Sequence, residues 1–223
     1  MIKRNVFFKA AITGLLLIAV SISMMIVGKV TTTGIWMPEG FKVPILALEF
    51  ASSNDEIQRI VNSISEPTLE HIIAATQIDM LFMIIYNLFL LFVLRSIYTV
   101  TKLVQYKWLA FLPYIIMLAD LVENVQLFNA FNHAQVVLII LQLATWIKWF
   151  GLAIAFTAIG RFLITTGRYY DKVLALSTYV TIPLGIWALL SHSAINEVFG
   201  MLFYLLFPMI IIYTWFPGIT KKV

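Results

Sequence analysis

Asp79, Asp120, Glu123 and Lys148 stand within stretches of sequence that are otherwise apolar enough to dissolve in lipid. A charge at the centre of a membrane helix costs about 2.5–3.5 kcal/mol on insertion scales, and it persists where it has a partner or a task. Asp120-Leu-Val-Glu123-Asn124 places three polar side chains on one helix face, because residues three and four apart are helical neighbours. Two carboxyls one turn apart do not readily both ionise in a low dielectric. An ammonium group relieves one of them and a proton the other. Proton exchange and the binding of a polar group are therefore the chemistry on offer.

Depth identifies the ammonium. Counted at about 1.5 Å per residue, Asp120 lies roughly 18 Å from the start of its apolar run at Trp108, and Lys148 roughly 18 Å from the start of the next run at Val136. Both fall near mid-membrane, so Lys148 is expected to face Asp120 and Glu123, with Asn124 orienting the acids. Gln142 and Thr145 share one side of their helix with Lys148. Asp79 lies near the outer end of its own run and reads first as an interfacial carboxylate. Tyr86 and Asn87 follow two turns deeper on the same face. The candidate binding set is thus Asp120, Glu123, Asn124, Lys148, Asp79, Tyr86, Asn87 and Gln142. Asp79, Glu123 and the outer residues His71, His133, His192 and Glu197 are expected to rim an outward-opening vestibule.

The elements that must carry these residues are membrane helices. The chain has 223 residues, 61% hydrophobic and only 12% charged, whereas soluble domains are about a quarter charged. Six stretches approach the roughly 20 apolar residues needed to cross hydrocarbon: Ala10–Gly28, Gln77–Leu94, Trp108–Phe128, Val136–Gly160, Val173–Leu190 and Val198–Phe216. The first is too long for a typical signal peptide and reads as a retained anchor. In the third, eleven Leu, Ile, Phe and Val residues contribute about −3 to −7 kcal/mol, which Asp120, Glu123 and their amide neighbours largely cancel. That helix needs partners, so its acidic face should turn inward.

Loop charge orients the bundle. Lys3, Arg4, Lys9, Arg95, Lys102, Lys107, Arg161, Arg168, Lys172, Lys221 and Lys222 fall on one side, with Asp171 as the single acid. Lys29, Lys42 and Arg59 fall on the other, among Glu39, Glu49, Asp55, Glu56, Glu66, Glu70 and Glu197. The positive-inside rule then puts both termini in the cytoplasm. Residues 29–76 form the one long external loop of a single membrane domain spanning 1–223. Within that loop, Ser53 and Glu56 have the spacing of a capping box. The helix they open has Ile57, Ile60, Val61 and Ile64 on one face, expected to lie as a lid on the outer membrane surface. Pro67 suits the first turn of a helix running on into the second span.

The expected fold is therefore an all-α integral membrane protein: six transmembrane helices with an amphipathic extracytoplasmic cap between the first two. The net charge of +4 comes from residues flanking apolar runs, which argues for membrane topology and against nucleic acid. Without cysteine there is no thiolate chemistry. No phosphate-binding glycine loop, nucleophile elbow or His-Glu-x-x-His motif occurs, and the three histidines lack the spacing of a helical metal pair. No catalytic residue, metal ligand or cofactor is assigned. The leading expectation is a non-enzymatic protein of a bacterial plasma membrane whose protonatable site binds a small polar or amphipathic ligand, or relays protons or ions. The alternatives are an enzyme acting on a lipid or isoprenoid, with Glu123 or Asp120 as acid–base, and an assembly subunit whose buried charges only pin helices together. Polar contacts of that pinning kind return about 0.6 kcal/mol each, little against the insertion cost.

Overall fold

The computed structural model describes residues 6–28 and 34–217, which fold into ten helices with no strand among them. Lys3, Arg4, Lys29, Lys221 and Lys222 lie outside the described residues. Six elements are long and apolar enough to cross a membrane. They are α1 (Phe8–Val27), α4 (Glu66–Thr101), α5 with α6 (Val104–Leu109 and Leu112–Phe131), α7 (Leu138–Ile164), α8 with α9 (Tyr169–Tyr179 and Thr181–Leu190), and α10 (Ala194–Trp215). Two short helices, α2 (Pro44–Glu49) and α3 (Asn54–Ser63), fill the connection between α1 and α4.

The spans stand in a ring in chain order: α1 packs on α4, α4 on α6, α6 on α7, α7 on α8 and α9, and α10 closes the circle against α9, α8 and α1. Polar faces turn inward. On α6, Ile115, Leu118, Val122 and Val125 are exposed, while Asp120, Glu123, Asn124 and Leu127 are buried. This is a soluble helix inside out, as lipid on the outer surface requires. Glycine sets the spacing between α6 and α7. A Cβ on Gly151 would meet Ile116 Cγ1 at 2.6 Å, so only hydrogen lets the two backbones approach this closely.

Proline explains the segmentation. Pro67 and Pro113 occupy the first turns of α4 and α6, where a missing N–H costs nothing. The third span is accordingly two helices joined at Ala110–Phe111 rather than one. Pro183 lacks the N–H that would bond Tyr179, and the fifth span divides there. The Thr181 hydroxyl covers the Thr178 carbonyl at 2.6 Å. Helix α4 is continuous from Glu66 and about 54 Å long, well beyond a hydrocarbon thickness of about 30 Å.

The cap differs from the sequence expectation. Ser53 does accept from Glu56 N at 3.1 Å, but the Glu56 carboxylate turns to Ser52 N and Oγ, at 2.6 and 2.8 Å, leaving the capping box half made. Ile57, Ile60, Val61 and Ile64 are all buried within the protein, with α3 packed on α2 and α6. The apolar face is thus covered by the bundle and not by a membrane surface. His192 locks the cap down through Glu56, Nε2 to Oε1 at 2.7 Å.

The larger departure is α2. Val43 through Ala51 does not stay in the outer loop with its neighbours. It descends into the end of the ring and packs against α6, α7 and α10. Glu197, on the first turn of α10, receives the otherwise unbonded amides of Lys42 and Val43 at 2.6 and 3.0 Å. Gly40 makes the preceding turn at φ 88°, where a side chain would strike the Ala194 backbone nitrogen at 2.7 Å. Gln142 Nε2 holds the Ala51 carbonyl at 3.1 Å, and Thr145 Oγ1 holds that of Glu49 at 3.1 Å.

Candidate functional site

Because α6 and α7 are adjacent and antiparallel, Lys148 meets the α6 acids. Its ammonium contacts Glu123 Oε1 and lies 3.6 Å from Asp120 Oδ1. It also lies 3.0 Å from Glu49 Oε2, a residue that the loop charges had placed with the external acids. Trp149 Nε1 donates to the same Glu49 oxygen at 3.1 Å, and the Lys148 ammonium sits 4.8 Å from the centre of the Trp149 ring. Lys148, Glu49, Asp120 and Glu123 are all buried.

The network continues onto α4. Tyr86 donates its hydroxyl to Asp120 Oδ2 at 2.5 Å. Asn124 Nδ2 bridges Asp79 Oδ2 at 3.2 Å and Asp120 Oδ1 at 3.4 Å. Asp79 is therefore part of the cluster and not an isolated interfacial carboxylate. Three carboxylates, Glu49 of α2 and Asp120 and Glu123 of α6, share one lysine, and Asp79 of α4 joins them through Asn124. Glu123 Oε2 accepts no hydrogen bond from any described residue.

A cavity of about 330 Å³ opens beside this cluster. Its polar end is formed by Glu49, Asp79, Asp120, Asn124 and Lys148. One wall is a stripe of α4 comprising Ile72, Ala75, Thr76, Asp79, Phe82 and Tyr86, residues spaced three and four apart. Trp149 and Leu152 of α7 and Phe203, Tyr204 and Phe207 of α10 face it. The rings pack on one another, Phe207 lying 5.7 Å from Tyr86 and 4.9 Å from Phe156 between centroids. The mouth is formed by Met24 and Met25 of α1, by Gly28 just past its end, and by Val43, Pro44 and Ile45 at the start of α2.

The mouth opens sideways because α1 leans away from α10. All the buried residues of α1 lie in its first half, from Ala10 to Leu17. Near its start, Gly14 presses on Ile211 of α10, whereas near its end Gly28 lies against Ala75 of α4. Met25 is 76% exposed and Tyr204 53%, yet both border the cavity, so the space reaches the outer surface of the ring between α1 and α10.

The structure brings together Asp120, Glu123, Asn124, Lys148, Asp79 and Tyr86. It does not bring in Asn87, which donates to the Met83 carbonyl on its own helix, nor Gln142, which serves the Ala51 backbone. The vestibule of histidines is not formed. His71 and His133 are exposed, His192 is held by Glu56, and Glu197 caps α2; none of the four borders the cavity. No group of three His, Asp or Glu among the described residues is arranged to hold a metal ion. Comparison with protein-family models, with curated proteins and with solved structures finds no match.

Proposed function

We propose that this protein binds a small amphipathic ligand at a protonatable polar site within the membrane, and that the site itself catalyses no reaction. The observation that carries this reading is the cavity: it runs from a largely apolar mouth to Asp79, Asp120 and Lys148. Small-molecule sites have this composition, apolar walls with a few convergent polar groups, in volumes of about 300–1,000 Å³. A cluster serving only to pin helices has no need of an entrance, and an assembly subunit would be packed solid here. The four acids and their lysine can pass protons among themselves and a ligand, so that binding and protonation are linked. The basic residues of the opposite end support a reading in which both termini are cytoplasmic and the cap lies outside, in a membrane we take to be a bacterial plasma membrane.

The absence of cysteine from the chain makes the test direct. A single cysteine at Ala75, on the cavity wall, should react with a membrane-impermeant maleimide added from the outside. One at Ile159, fully buried on α7, should not. Equal labelling of the two, or labelling of Ala75→Cys only from the cytoplasmic side, overturns the reading.

One observation favours a second reading, an enzyme acting on a lipid or isoprenoid. The sideways mouth would admit such a substrate, and the Tyr86–Asp120 pair at 2.5 Å could transfer a proton. Turnover of a lipid that is lost in Asp120→Asn would establish it.

A further inference from the structure

The charges around the cavity are unequally served. Lys148 is engaged with Glu123 and Glu49, the two acids on its near side. Asp120 lies farther from it, at 3.6 Å, and is otherwise held by the neutral donors Tyr86 and Asn124. Among the described residues, Asp79 has the Asn124 amide alone, and no cation lies within 4.0 Å of its carboxylate. Both aspartates border the cavity, and Asp79 is only partly buried. Deeper in the same cluster, Glu123 has one fully buried oxygen with no hydrogen-bond donor among the described residues. Among the described residues of the cluster, four carboxyl groups face one ammonium group.

Around the two aspartates stand the rings of Phe82, Tyr86, Tyr204 and Phe207. The faces of such rings carry negative charge density and attract organic cations, by about 2 kcal/mol or more when water is excluded. Carboxylates and ring faces favour the same kind of guest. An anionic head would meet Asp79 and Asp120 across a few ångströms of low dielectric, and a neutral one would leave Asp79 without a counter-charge.

Resting on the reading of the cavity as a ligand site, we propose that its ligand is an amphipathic organic cation. The ammonium-type head lies against Asp79 and Asp120 among these rings, and the apolar tail leaves past Met25 and Tyr204 between α1 and α10. The volume suits this division. About 330 Å³ accommodates a head group with a short length of chain, and the remainder meets lipid outside the ring.

The test uses the full chain in lipid nanodiscs, titrated calorimetrically with hexyltrimethylammonium, hexanol and hexanesulfonate and blanked against protein-free discs. Hexyltrimethylammonium should bind at least tenfold more tightly than either analogue. Asp79→Asn should lower its affinity at least tenfold without changing the thermal midpoint. Met25→Arg adds a positive charge at the exposed mouth without touching the polar network. It should weaken the ammonium probe severalfold more than it weakens hexanol, which shares the tail but not the charge. Should hexanol or hexanesulfonate match the ammonium, or should both variants bind it like the unaltered protein, the ligand is not a cation and only the cation assignment falls. Binding by none of the three overturns the ligand-site reading as well.

Discussion

Replacing Lys148 with methionine removes the one cation that the described residues supply to a cluster of four acids, while nearly preserving side-chain volume. At an effective dielectric of about 20, unit charges 3.0 Å apart attract by about 5.5 kcal/mol and those 3.6 Å apart by about 4.6. Desolvation of the buried ions cancels most of this gross attraction. What a measurement registers is the cost of leaving acids unpaired, about 3–5 kcal/mol when one partner of a buried ion pair is deleted. Lys148→Met should therefore lose about that much stability in denaturant titrations of the detergent-solubilised protein. Glu123→Gln in the same background should recover at least about 1 kcal/mol, since contacting residues couple by about 0.5–3 kcal/mol. A single variant within about 0.5 kcal/mol of the unaltered protein, or strictly additive costs in the double variant, would refute the claim that Lys148 holds the cluster together.

Other consequences are equally open to measurement. Glu49→Ala removes the acceptor for Lys148 and Trp149, so amide hydrogen exchange across residues 44–49 should accelerate at least tenfold while exchange in α7 changes little. Gly151→Val forces a side chain into Ile116 and should cost about 1–3 kcal/mol, read in the same denaturant titration. Burial works to raise the Glu56 carboxyl, but hydrogen bonds from His192 and from Ser52 N and Oγ outweigh it and hold the group below its ordinary value of 4.5. The stability Glu56 contributes is accordingly present above that value and lost as pH falls through the lower value of the folded state. Thermal midpoints recorded from pH 6 down to pH 3 should fall less steeply for Glu56→Gln than for the unaltered chain, and parallel slopes would dissociate Glu56 from the acid sensitivity.

The spans and much of the site could be read from the sequence because both express one constraint, that polar groups in hydrocarbon must find partners inside the protein. Asp120, Glu123, Asn124 and Lys148 disclose themselves by interrupting apolar runs. Helical spacing gives their shared face, and residue counts give their common depth. Glu49 escaped that logic because its segment is too short to span and sits among other acids. A signal was nonetheless present: Val43-Pro-Ile-Leu-Ala-Leu-Glu49-Phe-Ala51 is apolar but for Glu49, and short runs of this kind mark re-entrant segments. Gln142 serves the Ala51 carbonyl, in a segment far off in sequence that helical periodicity does not locate, and Asn87 turns back to the Met83 carbonyl one turn earlier on its own helix, an option open to any buried amide. The order of helices around the ring, and with it the sideways mouth, depends on side-chain packing between segments far apart in sequence.

The ring of spans in chain order has a bearing on biogenesis. Each hairpin can settle against the one synthesised just before it, so most of the bundle can form while the polypeptide is still emerging. Glu49 is the exception, since its partners arrive about a hundred residues later, on α7, and Glu197, which secures the start of its helix, comes later still. A chain halted after its third span would carry Glu49 and both aspartates yet lack the lysine and the Glu197 carboxylate that secures α2. The polar chamber thus comes into being only with the last segment, and premature termination yields inserted helices without a working interior.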